Sequence, residues 1–209
     1  MIDRRHFLAT ASLGGTALGF LVGARSARSA APVAGAPASD RLNGFGPEAR
    51  MLQRRVGLWD VTETLWARPG DAPTTSRGLV AERVMIGSAL QEFIRPPADK
   101  ARVAVKRTDL LCFNRLDGRW DYLSFDTRAP VGLMPAWSLG VGDLDRIEVS
   151  FAPFAVPGAG TGGTGQMLRM RQEILGKGAA HDVKDQFFTL ADGTATEWLA
   201  HRYDYVRRA

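Results

Sequence analysis

The sequence predicts an all-β domain, a single antiparallel barrel of about nine strands entered through one short helix. Three observations carry that expectation. Short segments rich in Val, Leu, Phe, Tyr and Trp recur along the chain, with Gly, Pro and Asp between them. Within several of these segments apolar and polar residues alternate, the period of a strand. Two Asp-Gly pairs, Asp117-Gly118 and Asp192-Gly193, fall between such segments and supply the positive φ angles of a tight hairpin turn. A chain of 209 residues with 45% hydrophobic and 23% charged side chains suffices for one domain with a substantial core and an appendage.

The appendage comes first. Asp3-Arg4-Arg5-His6-Phe7-Leu8 precedes an apolar run from Ala11 to Ala24, broken by four glycines. The run is about 14 residues long, short of the ~20 that span a bilayer as a helix. A basic start, a short apolar core and a small-residue segment make a signal peptide. The order Arg4-Arg5-x-Phe7-Leu8 resembles the twin-arginine export signal, which implies passage through the Tat translocon into the periplasm. An uncleaved anchor or a general secretory signal is the alternative. Residues 1–38 form the signal and processing region, with cleavage after Ala27-Arg28-Ser29 or Ala36-Pro37-Ala38, and residues 39–46 a linker rich in Ala, Pro and Gly. With no cysteine near either cleavage point, no lipid anchor and no stable membrane attachment is expected afterwards.

The domain occupies residues 47–209. Pro47 suits the first turn of a helix, and Ala49, Leu52 and Val56 share one face, so Pro47 to Arg54 is expected to plug one barrel end. Strands are expected at 58–67, 78–86, 89–95, 102–114, 120–127, 146–154, 166–175, 182–190 and 195–206. Met167 to Leu175 consists of good helix formers, yet its neighbours on both sides are strand-like and it is assigned as strand. Alternation puts Val80, Val84 and Ile86 on one face with Glu82, and Val103, Val105, Leu111 and Phe113 on one face with Arg107 and Asp109. A filled apolar core avoids such charges. A barrel with a partly polar interior accepts them when they pair; twisted or bulged strands are the other explanation.

The net charge is +5, of which the leader supplies +3 through four arginines against Asp3. The remaining surplus of +2 does not argue for nucleic acid or an anionic membrane. Cys112, the single cysteine, excludes an intrachain disulfide and any multi-cysteine metal site.

Gly57-x-Trp59 at the start of the first strand resembles the opening of lipocalin-like (calycin) barrels. There the Trp closes the floor beneath an Arg from the last strand, which implies Arg202 as the partner of Trp59. The longer pattern Gly57 to Val61, Gly78 to Gly87, Asn114 to Trp120, Asp126 to Trp137 and Glu197 to Ala200 resembles the bacterial secreted family catalogued as domain of unknown function 1579. The resemblance covers about residues 50–207. It implies a lipocalin-like fold and leaves activity and cofactor open.

Asp126 to Trp137 is the stretch most suggestive of function. It holds Pro130, Gly132 and Pro135 and is expected to be a mouth loop too irregular for strand. Met134 and Trp137 suit an apolar ligand, and Asp126 and Arg128 share parity and are placed to pair or to hold a polar group. On the last strand His201 and Tyr203 share a face with Glu197. A buried, hydrogen-bonded histidine is the plain reading of His201. Nitrobindin barrels use a strand histidine for haem, but none of their surrounding motif is present here. His181 and Asp185 are about 13 Å apart on a strand, too far for one metal. Gly158-x-Gly160-x-x-Gly163 lacks the βαβ setting of a dinucleotide site and is expected to be a surface loop. Cys112 has no paired histidine and is expected to pack. A small-molecule binder, a lyase or isomerase using Asp126, Arg128 and His201, and an interaction module with a filled core all remain open.

Overall fold

A computed structural model describes residues 45–97, 105–128, 131–143, 145–156 and 165–209. By internal contacts the chain divides into Met1–Ala36 and Pro37–Ala209. Arg4, Arg5, Phe7, Leu8, the linker up to residue 44, Val103, Pro130 and the Gly158–Gly163 pattern lie outside the described residues.

One helix, α1 (Gly46–Gln53), precedes eleven strands: β1 (Gly57–Leu65), β2 (Thr74–Ile86), β3 (Ala89–Arg95), β4 (Arg107–Asn114), β5 (Arg119–Asp126), β6 (Met134–Trp137), β7 (Arg146–Phe151), β8 (Phe154–Ala155), β9 (Met167–Gly176), β10 (His181–Leu190) and β11 (Glu197–Arg207). Each pairs antiparallel with its neighbour, and the pairings β11 with β1 and β9 with β10 close ten of them into a barrel. The short β8 pairs only with β9 and stays outside the ring. The result is the expected antiparallel barrel preceded by a short helix, with ten ring strands rather than about nine.

The differences have local causes. Pro135, with no N–H to give a ladder, and Gly132 suggest a loop, yet Met134 to Trp137 pairs with β5 on one side and β7 on the other. The expected sixth strand ends at Phe151 because Ala152-Pro153 interrupts it before β8. The ambiguous segment is strand, because β9 is claimed by β7 and β10 together and that pairing overrides helix propensity. In β2 the expected face is reversed: Leu79, Ala81 and Arg83 are buried inside, while Ile86 is exposed and Glu82 pairs on the surface with Arg95. In β4 the expectation holds, with Arg107, Asp109 and Leu111 all buried.

The closed end is built from α1 and the start of β1. Leu52 is fully buried and joins Met51, Leu90, Leu111, Trp120 and Ile174 in one core cluster. Trp59 is 1% exposed, and its indole N–H donates to the Arg55 carbonyl oxygen at 3.1 Å. The guanidinium groups of Arg83 and Arg207 lie 4.7 and 4.6 Å from its ring centroid. The partner of Trp59 from the last strand is therefore Arg207 and not Arg202, which points outward and forms a bidentate pair with Asp185 at 2.7 Å. Arg207 sits directly across the ladder from Trp59, five residues beyond Arg202. Gly57 makes room for it: at φ +137° a Cβ there would stand 3.2 Å from the Arg207 Nη1, which donates to the Val56 carbonyl oxygen. Trp59→Ala should lower unfolding free energy by about 3–5 kcal/mol, the usual cost of truncating a buried aromatic, as measured by urea denaturation; an unchanged midpoint would mean that the closed end does not depend on this ring.

A candidate ligand cavity above a charged floor

Cross-strand register sets up an electrostatic conflict inside the barrel. Arg83 faces Glu92 across β2 and β3, a favourable pair, but Glu92 faces Asp109 across β3 and β4. Two carboxylates in that position repel. Lys184, arriving from β10, resolves the conflict: its Nζ donates to Glu92 at 2.6 Å and to Asp109 at 2.8 Å. Arg83 donates to Glu92 at 2.6 Å and to Asp182 at 2.5 Å, and Arg107 donates to Asp109 at 2.9 Å. The phenols of Tyr205 and Tyr122 complete the layer, Tyr205 donating to Glu92 and Tyr122 accepting from Arg107. All of these side chains are buried. Burial alone pushes the Lys184 ammonium down, but Asp109 and Glu92 outweigh it and hold the group well above its ordinary range.

Above this layer the barrel is hollow. A cavity of about 750 Å³ opens at the end away from α1. Its walls are apolar, drawn from Trp66, Met134, Leu168, Met170, Phe188 and Trp198 among others. Its floor is polar and formed by Arg107, Asp126, Arg128, Gln186, His201 and Tyr203. Arg128 grips Asp126 through Nε at 3.0 Å and Nη2 at 2.8 Å, reaches Glu63 at 2.9 Å and donates to the Tyr203 hydroxyl at 3.2 Å. Lys106 donates to the other Glu63 oxygen at 2.7 Å. With its amide oxygen turned toward Arg107, Gln186 accepts from both guanidinium nitrogens at 2.9 and 3.0 Å.

Of the expected site residues, Asp126, Arg128, Met134, His201 and Tyr203 therefore line one cavity. Trp137 does not. It is 38% exposed on the outer face, stacked near Arg119, because Met134 and Ala136 take the inward positions of β6. Glu197 is also on the outside, paired with Arg171 at 2.9 Å. A bulge explains it: Gln186 faces His201 but Phe187 faces Leu199, so β11 slips one residue and Trp198, not Glu197, turns inward. His181 pairs with Asp204 at 3.2 Å, and Cys112 is on the outer face of β4, where burial and Asp121 push its thiol up. Among the described residues no cluster of three His, Cys, Asp or Glu is placed to hold a metal.

The sequence reading missed Glu63, Lys184, Gln186, Phe188 and Trp198. Glu63 was readable, since Trp59-x-Val61-x-Glu63 puts it on the inward parity. The others depend on the bulge or on partners some 75 to 92 residues distant.

The floor has a definite protonation pattern. Burial pushes Glu63 up, but His201, Lys106 and Arg128 outweigh it and hold the carboxyl far below the usual range. Asp126 is likewise held low, its Arg128 bonds outweighing burial. Burial pushes His201 down, and Arg128 and Arg107 add to that against the opposing pull of Glu63. Burial pushes the Tyr203 phenol up to about 12.

No family profile and no curated protein matches the chain. A solved structure of EF1p2_mFAP2b bound to DFHBI is similar over 77% of this chain and 99% of that one, at 11% identity and a TM-score of 0.33.

The depressed carboxyls give stability its pH dependence. Glu63, Glu92, Asp109 and Asp126 have folded pKa values below their unfolded ones, so their contribution is complete above the unfolded values near 4 and is lost as pH falls through the folded ones. His201, depressed from about 6.5, adds a weaker loss that begins below about pH 6.5, since the unfolded imidazole protonates first. The melting temperature should be flat between about pH 7 and 9, decline gently below about 6.5 and steeply below about 5. His201→Phe should abolish the gentle limb and leave the steep one. A flat profile down to pH 3 would contradict the charged interior.

Proposed function

We propose that this protein is an exported, periplasmic binding protein that holds a small, partly apolar molecule in the barrel, and that it belongs to the secreted lipocalin-like family of domain of unknown function 1579. The observation that carries the binding reading is the cavity of about 750 Å³ with apolar walls and a hydrogen-bonding floor, a size and composition typical of ligand sites. An interaction module with a filled core does not call for such a space. Catalysis is less well supported. A general base works best with a pKa near the working pH, and Glu63, the carboxylate nearest His201, is engaged by Lys106 and Arg128 and held strongly acidic. Export rests on Arg4, Arg5, Phe7 and Leu8 in the leader.

Two experiments test these readings separately. N-phenyl-1-naphthylamine, a neutral apolar fluorophore, should bind the mature protein and brighten. Trp198→Ala, in the cavity wall, should weaken binding by about 2 kcal/mol, as aromatic hot spots do, whereas Trp137→Ala, on the outer face, should leave it unchanged. Equal losses would place the probe outside the cavity. For export, replacing Arg4-Arg5 by Lys-Lys should abolish periplasmic accumulation, because an ammonium pair does not replace the planar guanidinium fork; normal accumulation would rule out the twin-arginine route.

A further inference from the structure

We propose that the cavity selects an uncharged ligand carrying a hydrogen-bond donor, a hydroxyl or N–H on an apolar and partly aromatic body, and that the imidazole of His201 accepts that donor. The inference rests on the reading of the cavity as a ligand site and specifies which chemistry it takes.

The first support is the charge balance of the floor. Arg107, Arg128 and Lys106 stand against Asp109, Asp126 and Glu63, each bonded to another of the set. Arg128 uses four of its five N–H groups on Asp126, Glu63 and Tyr203. Arg107 is surrounded by Asp109, Tyr122, Tyr203 and the turned Gln186 amide. At the floor a carboxylate or phosphate finds no unpaired cation and an ammonium no unpaired carboxylate; the other charged lining residues, Arg68, Asp71 and Asp192, are exposed to solvent. Either would bring an uncompensated charge into a partly desolvated site, which is costly.

The second support is the one polar side chain the floor leaves unsatisfied. No protein group lies within 3.5 Å as a hydrogen-bond partner of His201: its buried Nδ1 faces Glu63 Oε1 across a long contact of 3.6 Å. A carboxylate on that side favours the tautomer with the proton on Nδ1. The lone pair is then on Nε2, the nitrogen left to the cavity that His201 lines. The ring packs against Phe188 at 5.5 Å and stacks with Tyr203 at 6.1 Å. The missing donor is the ligand's. Discrimination of this kind is strong, because an analogue lacking the donor leaves the acceptor buried and unpaired.

Three probes with one aromatic body decide the matter: 2-naphthol, 2-methoxynaphthalene and 2-naphthoate, each displacing N-phenyl-1-naphthylamine from the mature protein at pH 7.5. The expected order is 2-naphthol tighter than both others by tenfold or more. In His201→Phe the advantage over 2-methoxynaphthalene should vanish, and in His201→Gln, whose amide oxygen accepts, part of it should return. Equal affinity for naphthol and its methyl ether, tighter binding of naphthoate, or a preference that survives in a folded His201→Phe protein would overturn the proposal. The wild-type order alone decides it if that variant does not fold. Binding of the fluorophore without any order among the three leaves the ligand-site reading standing and removes only this inference; failure of the fluorophore and all three probes removes both.

Discussion

The double hydrogen bond from Lys184 to Glu92 and Asp109 is the contact on which the rest of the interior depends. The ladder pairings force these two carboxylates to face one another inside a barrel. Without an ammonium between them the register of β3 against β4 would be opposed by repulsion in a low-dielectric space. A buried ion network of this kind is a poor source of net stability, since desolvation offsets much of its attraction. Its effect here is specificity: Lys184 reaches its partners only when β10 closes the ring at the present register, so closure of the barrel and neutralisation of its interior are one event.

The same network divides the barrel along its axis. On the α1 side, Arg83, Trp59, Tyr205 and the apolar cluster around Leu52 and Trp120 fill the space. On the other side the charges become the floor of a cavity. Arg107 belongs to both halves, bonded to Asp109 below and to the Tyr203 hydroxyl at the floor. The floor groups are thereby fixed before any ligand arrives, the condition under which a site discriminates by hydrogen bonding rather than by adapting its shape.

Much of this was legible in the sequence, and the exceptions share a physical cause. Strand positions followed from local alternation and turn chemistry, and Arg107 and Asp109 announced a charged interior because they interrupt an inward apolar face. Alternation does not say which of two faces is inward when one carries Val80, Val84 and Ile86 and the other Leu79, Ala81 and Arg83. Glu92, a strand away, and Asp182, across the barrel, decide it. Parity also fails where a strand slips by one residue, and the bulge opposite Gln186 and Phe187 exchanged Glu197 for Trp198 in the cavity wall. Trp137 was misplaced for a related reason: a segment with Pro135 and Gly132 lacks a local strand signal, and only pairing with β5 and β7 turns its indole outward.

The central claim is that one half of this barrel is filled and the other hollow, and paired enlargement of two buried side chains tests it most directly. Both side chains are fully buried, but Leu168 borders the cavity whereas Ile147 lies in the packed cluster. The unfolding free energies of Leu168→Trp and Ile147→Trp are to be compared by urea denaturation. The extra bulk at Leu168 should be accommodated with little or no loss, while overpacking at Ile147 should cost about 1–3 kcal/mol or more. Equal losses at the two positions would contradict the account.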